Sequence, residues 1–164
     1  MNKKLAQRKK IRLAEYDYSK PGAYFITICT DKHKCLFWKK NHNLLLVPEH
    51  KKRLSKYGEI VDKAINDIPS YYPFVSVDKY VVMPNHVHML LRINTDESGR
   101  PMVAPTISTV VQQTKGVVSK KIGYSVWQKL YYDHVIRNNN DYEEIWNYID
   151  QNPQNWEKDK FYNL

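Results

Sequence analysis

Tyr80-Val81-Val82-Met83-Pro84-Asn85-His86-Val87-His88-Met89-Leu90-Leu91-Arg92 decides the reading of this chain. The stretch divides into two apolar, β-branched runs broken at Pro84-Asn85, where proline lacks the N–H of a ladder and asparagine favours a turn. Side chains alternate along a strand, so His86 and His88 share one face while Val87 anchors the other in the core. Two imidazoles at that spacing can share one metal ion, and neutral imidazole is the commonest side-chain metal ligand. A single strand histidine is more often a surface or hydrogen-bonded residue, and two in alternation also arise by chance. The pair gains weight only from what accompanies it.

On either side of this hairpin the pattern alternates between strand and helix. Pro21-Gly22 turns the chain into a strand over residues 23–30, rich in Tyr, Phe, Ile and Thr. Leu44-Leu45-Leu46-Val47 reads as a short strand, a hairpin partner. Residues 49–68 carry Leu54, Tyr57, Ile60, Val61, Ala64, Ile65 and Ile68 at helical spacing, with Pro69 as the expected stop. Residues 74–83 and 87–93 form the antiparallel pair. After a polar loop over 94–106, residues 107–122 read as a second helix with Ile107, Val110, Val111, Val117, Val118 and Ile122 inward and Gln112, Lys115, Ser119 and Lys120 outward. A strand over 126–136 and a helix over 141–152, stopped by Pro153, complete the order. Without the hairpin insertion this is βαββαβ, an α+β ferredoxin-like antiparallel sheet with an extra C-terminal helix. Helices cover one sheet face, and His86 and His88 are expected on the other. The organisation expected is a basic arm over residues 1–15 and one domain over 16–164.

The formal net charge is +9 and the pI about 9.4, which favours nucleic acid over an anionic membrane surface. Lys3, Lys4, Arg8, Lys9, Lys10 and Arg12 crowd the arm, with Lys9, Lys10 and Arg12 the phosphate contacts expected there; the plainer reading is a solubilising tail. Thirteen tyrosines beside this charge suit single-stranded nucleic acid, although many tyrosines serve as half-buried core residues. Cys29 and Cys35 form no Cys-x-x-Cys pair, so a disulfide framework or zinc knuckle is not expected and a reducing compartment is. No apolar run is long enough to span a membrane, and no secretory signal opens the chain. A cytoplasmic protein of prokaryotic style, nucleoid-associated and without a membrane partner, is the expectation.

The last helix supplies the companion to the histidines. Tyr142, Ile145, Trp146 and Ile149 make its buried stripe, and Tyr148 stands off that stripe with Asn152 one turn beyond on the same face. A tyrosine oxygen can attack a phosphodiester and hold the phosphate covalently. A metal held by His86, His88 and the Asn152 amide oxygen would polarise that phosphate; Mg²⁺ prefers oxygen, while two imidazoles also suit Mn²⁺. On the helix alone, Tyr148 reads more readily as an amphipathic boundary residue, and Asn152 as an ordinary residue before proline. The sequence reveals no general base.

Taken together, these segments resemble a known family. Val82-Met83-Pro84-Asn85-His86-Val87-His88 is similar to the histidine–hydrophobic–histidine motif of the HUH single-tyrosine transposases, and of the REP-associated tyrosine transposases within them. The stretches 18–30, Asp133-His134-Val135-Ile136-Arg137-Asn138 and Tyr148-Ile149-Asp150-Gln151-Asn152-Pro153 agree in order, so the resemblance spans roughly residues 16–156. It implies metal-dependent cleavage and rejoining of single-stranded DNA recognised through imperfect hairpins, leaving a 5′-phosphotyrosine and a free 3′-hydroxyl. It implies Tyr148 as nucleophile and His86, His88 and Asn152 as ligands of Mg²⁺ or Mn²⁺. It also implies Lys115 and Arg137 near DNA, and His134 either assisting proton transfer or hydrogen-bonding in the core. The last helix can close on its own sheet or, in a homodimer, on a partner's. Rival readings are a catalytically silent or host-adopted hairpin-binding protein of the same fold, an RNA-recognition module and a water-using metallohydrolase. The strand motif of the RNA module is missing.

Overall fold

The computed structural model describes residues 16–40, 53–95 and 105–162. The basic arm with Lys9, Lys10 and Arg12, and the strand expected over 44–47, lie outside the described residues. Strand β1 (Gly22–Cys29) is followed by helices α1 (Lys56–Asn66) and α2 (Ile68–Tyr71), strands β2 (Val75–Val82) and β3 (His86–Ile93), helix α3 (Ile107–Ile122), strand β4 (Tyr132–Ile136) and helix α4 (Asn139–Gln151). The four strands pair antiparallel in the order β2-β3-β1-β4, the ferredoxin-like arrangement expected from the pattern.

Register assigns the two faces. Cys29 pairs with His86, Thr27 with His88 and Phe25 with Leu90. These residues point to one side; Tyr24, Ile26, Ile28, Val87, Met89 and Leu91 point to the other and are buried. Helices α1 and α3 cover that second side with Val61, Ala64 and Ile65, and Val110, Val111 and Val118. Tyr80 of β2 ties the sheet to α1, donating to Asp62 Oδ1 at 2.7 Å. Helix α4 packs on the opposite face, over β2 and β3.

Local chemistry sets the helix ends. The Ser55 hydroxyl accepts from Gly58 N, Thr106 from Thr109 N, and Asn138 Oδ1 from Asp141 N, each capping a helix start. Gly123 ends α3 in the left-handed region at φ 98°, a conformation glycine adopts without a Cβ penalty. Gly58 has a different reason: a Cβ there would stand 2.1 Å from the Phe37 carbonyl oxygen.

Several sequence-based bounds move. Pro69 does not stop the first helix; α1 already ends at Asn66, and the proline sits in the first turn of α2, where its missing N–H costs nothing. The strand expected over 126–136 begins only at Tyr132. Before it, Trp127 makes an isolated bridge to Thr30, and the Lys115 ammonium bonds the carbonyls of Gln128 and Leu130. The last helix begins two residues earlier than its pattern, behind the Asn138 cap.

Candidate metal and tyrosine site

His86 and His88 stand at the start of β3, directly after the Pro84-Asn85 turn. Both are wholly buried, at 0% and 1% exposure, so the pair lies on the expected sheet face but not on an open surface. Trp156 and Phe161, from the segment after α4, pack against His86, and Phe161 also stacks on His33. Buried Asn85 orients the first ring. Its amide nitrogen donates to the carbonyls of His33 (3.2 Å) and Phe161 (2.7 Å), which leaves its oxygen to accept from His86 Nδ1 at 2.8 Å. The lone pair of His86 is thereby assigned to Nε2. Thr27 Oγ1 lies 2.8 Å from His88 Nδ1, and the two Nε2 atoms face each other at 3.1 Å. When the Thr27 hydroxyl accepts from Nδ1, both Nε2 lone pairs aim at one point, the arrangement a cation needs. Burial keeps both rings neutral: His86 is pushed down to about 4 despite the opposing Asp159 carboxylate, and His88 falls well below the usual range.

Helix α4 brings the oxygens. Its stripe of Tyr142, Ile145, Trp146 and Ile149 faces the sheet, while Tyr148 stays 40% exposed with its hydroxyl 3.4 Å from His88 Nε2. Phe25 meets the Tyr148 ring edge-on at 6.0 Å and fixes its tilt. Burial and the nearby Asp159 charge raise the Tyr148 phenol, with Asn152 opposing them, so the hydroxyl is protonated at neutral pH. Asn152 caps the end of α4 and is buried; its amide nitrogen donates to Asp159 Oδ2 at 3.0 Å. Its Oδ1 is buried without a hydrogen-bond partner, a condition that ordinarily costs about 1–3 kcal/mol.

Asp159, which no spacing in the sequence singled out, completes the cluster. Its Oδ2 is 3.8 Å from His86 Nε2, its Oδ1 accepts from Phe161 N at 2.7 Å, and ligand atoms of His86, His88 and Asp159 all lie within 4.8 Å of one another. Two imidazole nitrogens, a carboxylate and an orphaned amide oxygen form a donor set that can hold a divalent ion.

Distant contacts hold the two halves in register. Trp38 Nε1 donates to the Val82 carbonyl just before the histidine turn. Buried Arg53 lies over the Trp38 ring and donates to the Pro153 carbonyl at the end of α4, 3.3 Å away. Along the helix, Lys79 pairs with Asp150 at 2.5 Å and covers Trp146, while Arg92 and Tyr142 both donate to Asp78 Oδ2.

The remaining candidates lie apart. Lys115 is engaged by the carbonyls of Gln128 (2.8 Å) and Leu130 (3.1 Å) and sits over Tyr131. Arg137 is exposed where β4 passes into α4, its backbone N–H donating to Asp141. His134 is not a core residue; its Nε2 bridges both Asp141 oxygens at 3.0 and 2.9 Å on the surface.

The fold and cluster together define a ferredoxin-like α+β protein with a histidine pair on its central strand and a tyrosine-bearing helix closed over it. The chain belongs to the same family as an uncharacterized protein of Haemophilus influenzae, which is 34% identical over 180 residues covering 98% of this chain and 96% of that one. No family model matches the chain. Among solved structures, a REP-associated tyrosine transposase bound to a REP hairpin has the same fold, with a TM-score of 0.59 and 23% identity over 86% of this chain and 73% of that one. Among the described residues no helix is long and apolar enough to cross a membrane.

Proposed function

We propose that this protein is a metal-dependent single-stranded DNA endonuclease and strand transferase, transposase-like, that recognises DNA hairpins and cuts through a covalent 5′-phosphotyrosine. The observation that carries the reading is the Tyr148 hydroxyl 3.4 Å from His88 Nε2, beside the buried, unpartnered oxygen of Asn152. The transposase fold bound to a REP hairpin supports the choice of DNA. His86, His88, Asn152 and Asp159 would hold Mn²⁺ or Mg²⁺. A divalent ion there supplies charge stabilisation to the scissile phosphate. Tyr148 Oη attacks phosphorus as it loses its proton; the bond to O3′ breaks and that oxygen takes a proton, leaving a free 3′-hydroxyl. Reversal of these steps onto another 3′-hydroxyl rejoins the strand without a nucleotide cofactor. The arm over residues 1–15, with Lys9, Lys10 and Arg12, and exposed Arg137 would contribute phosphate contacts beside one domain over 16–164.

A second reading is favoured by the complete burial of both histidines beneath Trp156 and Phe161. On that reading the protein binds hairpins without cutting them. Denaturing electrophoresis separates the two, with labelled hairpin oligonucleotides from palindromes flanking the gene, Mn²⁺, and wild type beside Tyr148→Phe. A slow, metal-dependent protein–DNA band absent from the variant is the expected result. Tight binding with no such band would leave the hairpin-binding protein, and cleavage without one a water-using hydrolase.

A further inference from the structure

Helix α4 covers β2 and β3, while on the site face Thr27 and Cys29 of β1 are buried and Tyr132 and His134 of β4 stay exposed, with half-buried Phe25 between them and Tyr148. The strip along β4 is made of exposed Tyr132 and His134 beside half-buried Phe25, because register sets Phe25 opposite His134 and Thr27 opposite Tyr132. Tyr132 is 44% exposed. The same Thr27 pairs with His88 on its other side. Neighbouring strands lie about 4.8 Å apart, so Tyr132 stands roughly 10 Å from His88 across one intervening strand. Lys160 lies above this end of the strip, with its ammonium 5.9 Å from the Tyr132 ring centre and 4.7 Å from that of Phe161. The far end is closed by the His134–Asp141 pair. Exposed Tyr71 and Tyr124 lie on or beside α2 and α3, away from this face.

We infer that Tyr132 is a stacking platform for a base next to the scissile phosphate, with Lys160 contacting the adjoining phosphate. The inference rests on the single-stranded DNA reading above. An exposed flat ring under a lysine, continuous with the nucleophile, matches what a single strand offers: a π-face on every base and a negative charge on every linkage. A peptide or a second copy of the chain would need broad apolar contact area, and here exposed Tyr132, with half-buried Phe25 and Phe161 beside it, is rimmed by Lys160, His134 and Asp141.

The test is binding by the full chain in chelator, so that no cleavage is required. The probe is a fluorescein-labelled oligodeoxythymidylate of about twelve nucleotides, carrying one 5-iododeoxyuridine for photocrosslinking. Tyr132→Ala should weaken binding by about ten-fold or more, while Tyr132→Phe keeps it. Lys160→Ala should lower the slope of log affinity against log salt by about 0.7. The crosslink should fall on Tyr132. Unchanged binding by Tyr132→Ala, or a crosslink confined to other segments, overturns the platform. Self-association lost in Tyr132→Ala with DNA binding intact would assign the strip to a second copy instead. If wild type forms the Tyr148 adduct while Tyr132→Ala binds normally, the platform alone fails. If the base crosslinks to Tyr132 and no adduct forms in Mn²⁺, the platform stands and the cleavage reading falls.

Discussion

Lys115 distinguishes a DNA contact from a structural tie, and Lys115→Met tests which it is. The ammonium donates to Gln128 O at 2.8 Å and Leu130 O at 3.1 Å, and Gln128 N in turn donates to the Cys29 carbonyl at the end of β1. Methionine keeps the stem and removes both bonds. Hydrogen bonds to charged groups contribute about 1.5–3 kcal/mol each, but water can reach these half-exposed carbonyls, so the pair should be worth about 2 kcal/mol. For a chain of this size that corresponds to a melting temperature lower by roughly 4–8 °C. A lysine already spent on carbonyls contributes no counterion release, so the salt slope of DNA binding should match wild type. Differential scanning calorimetry reads the first quantity and a salt titration of oligonucleotide binding the second. An unchanged melting temperature together with a slope smaller by about 0.7 would refute the tie and restore Lys115 as a phosphate contact.

Acid should destabilise the metal-free protein through its buried imidazoles. His86 titrates at about 4 when folded against 6.5 when exposed, so between those values the unfolded chain binds the proton first. Its contribution is fully present above about pH 6.5 and lost as pH falls toward 4, by about 3 kcal/mol at the limit. Thermal denaturation in chelator should show His86→Gln with a flatter pH dependence than wild type, and parallel curves would contradict this. Gly58→Ala should cost about 1–3 kcal/mol in urea denaturation, because its Cβ meets the Phe37 carbonyl rather than a flexible side chain; equal midpoints would argue against that clash.

What the sequence made legible follows from the range of the interactions involved. Helix α3 has the bounds its pattern indicates, because Thr106 and Gly123 mark both ends locally. Strand order followed from element order, since few connections satisfy an antiparallel βαββαβ sheet. Tyr148, His86 and His88 meet in space because each stood out by strand or helix period. Strand β4 was read too long because the pull of Lys115 on residues 128 and 130 comes from another element. Burial of the histidines depends on Trp156 and Phe161, which carry no periodic signal, and Asp159 reaches the cluster only because the chain turns back after α4. Arg53 looks like any surface cation in sequence, yet it is 2% exposed and bonds the Pro153 carbonyl.

The sequence left open whether α4 closes on its own sheet or a partner's, and the connection favours its own. Only Arg137 and Asn138 separate β4 from α4, and the three steps from Ile136 to Asn139 span at most about 11 Å. So short a tether keeps the start of α4 beside β4, and β4 is paired to β1 along its whole length. The swap would also have to rebuild Lys79–Asp150, the Asp78–Arg92–Tyr142 group and Arg53–Pro153 between chains. The last of these matters most for chemistry. Trp38 holds the strand that leads to His86, Arg53 stacks on Trp38, and Arg53 grips the carbonyl one residue beyond Asn152. One buried clamp thus ties the strand that leads to the histidines to the end of α4 that carries Asn152, and it does so within a single chain.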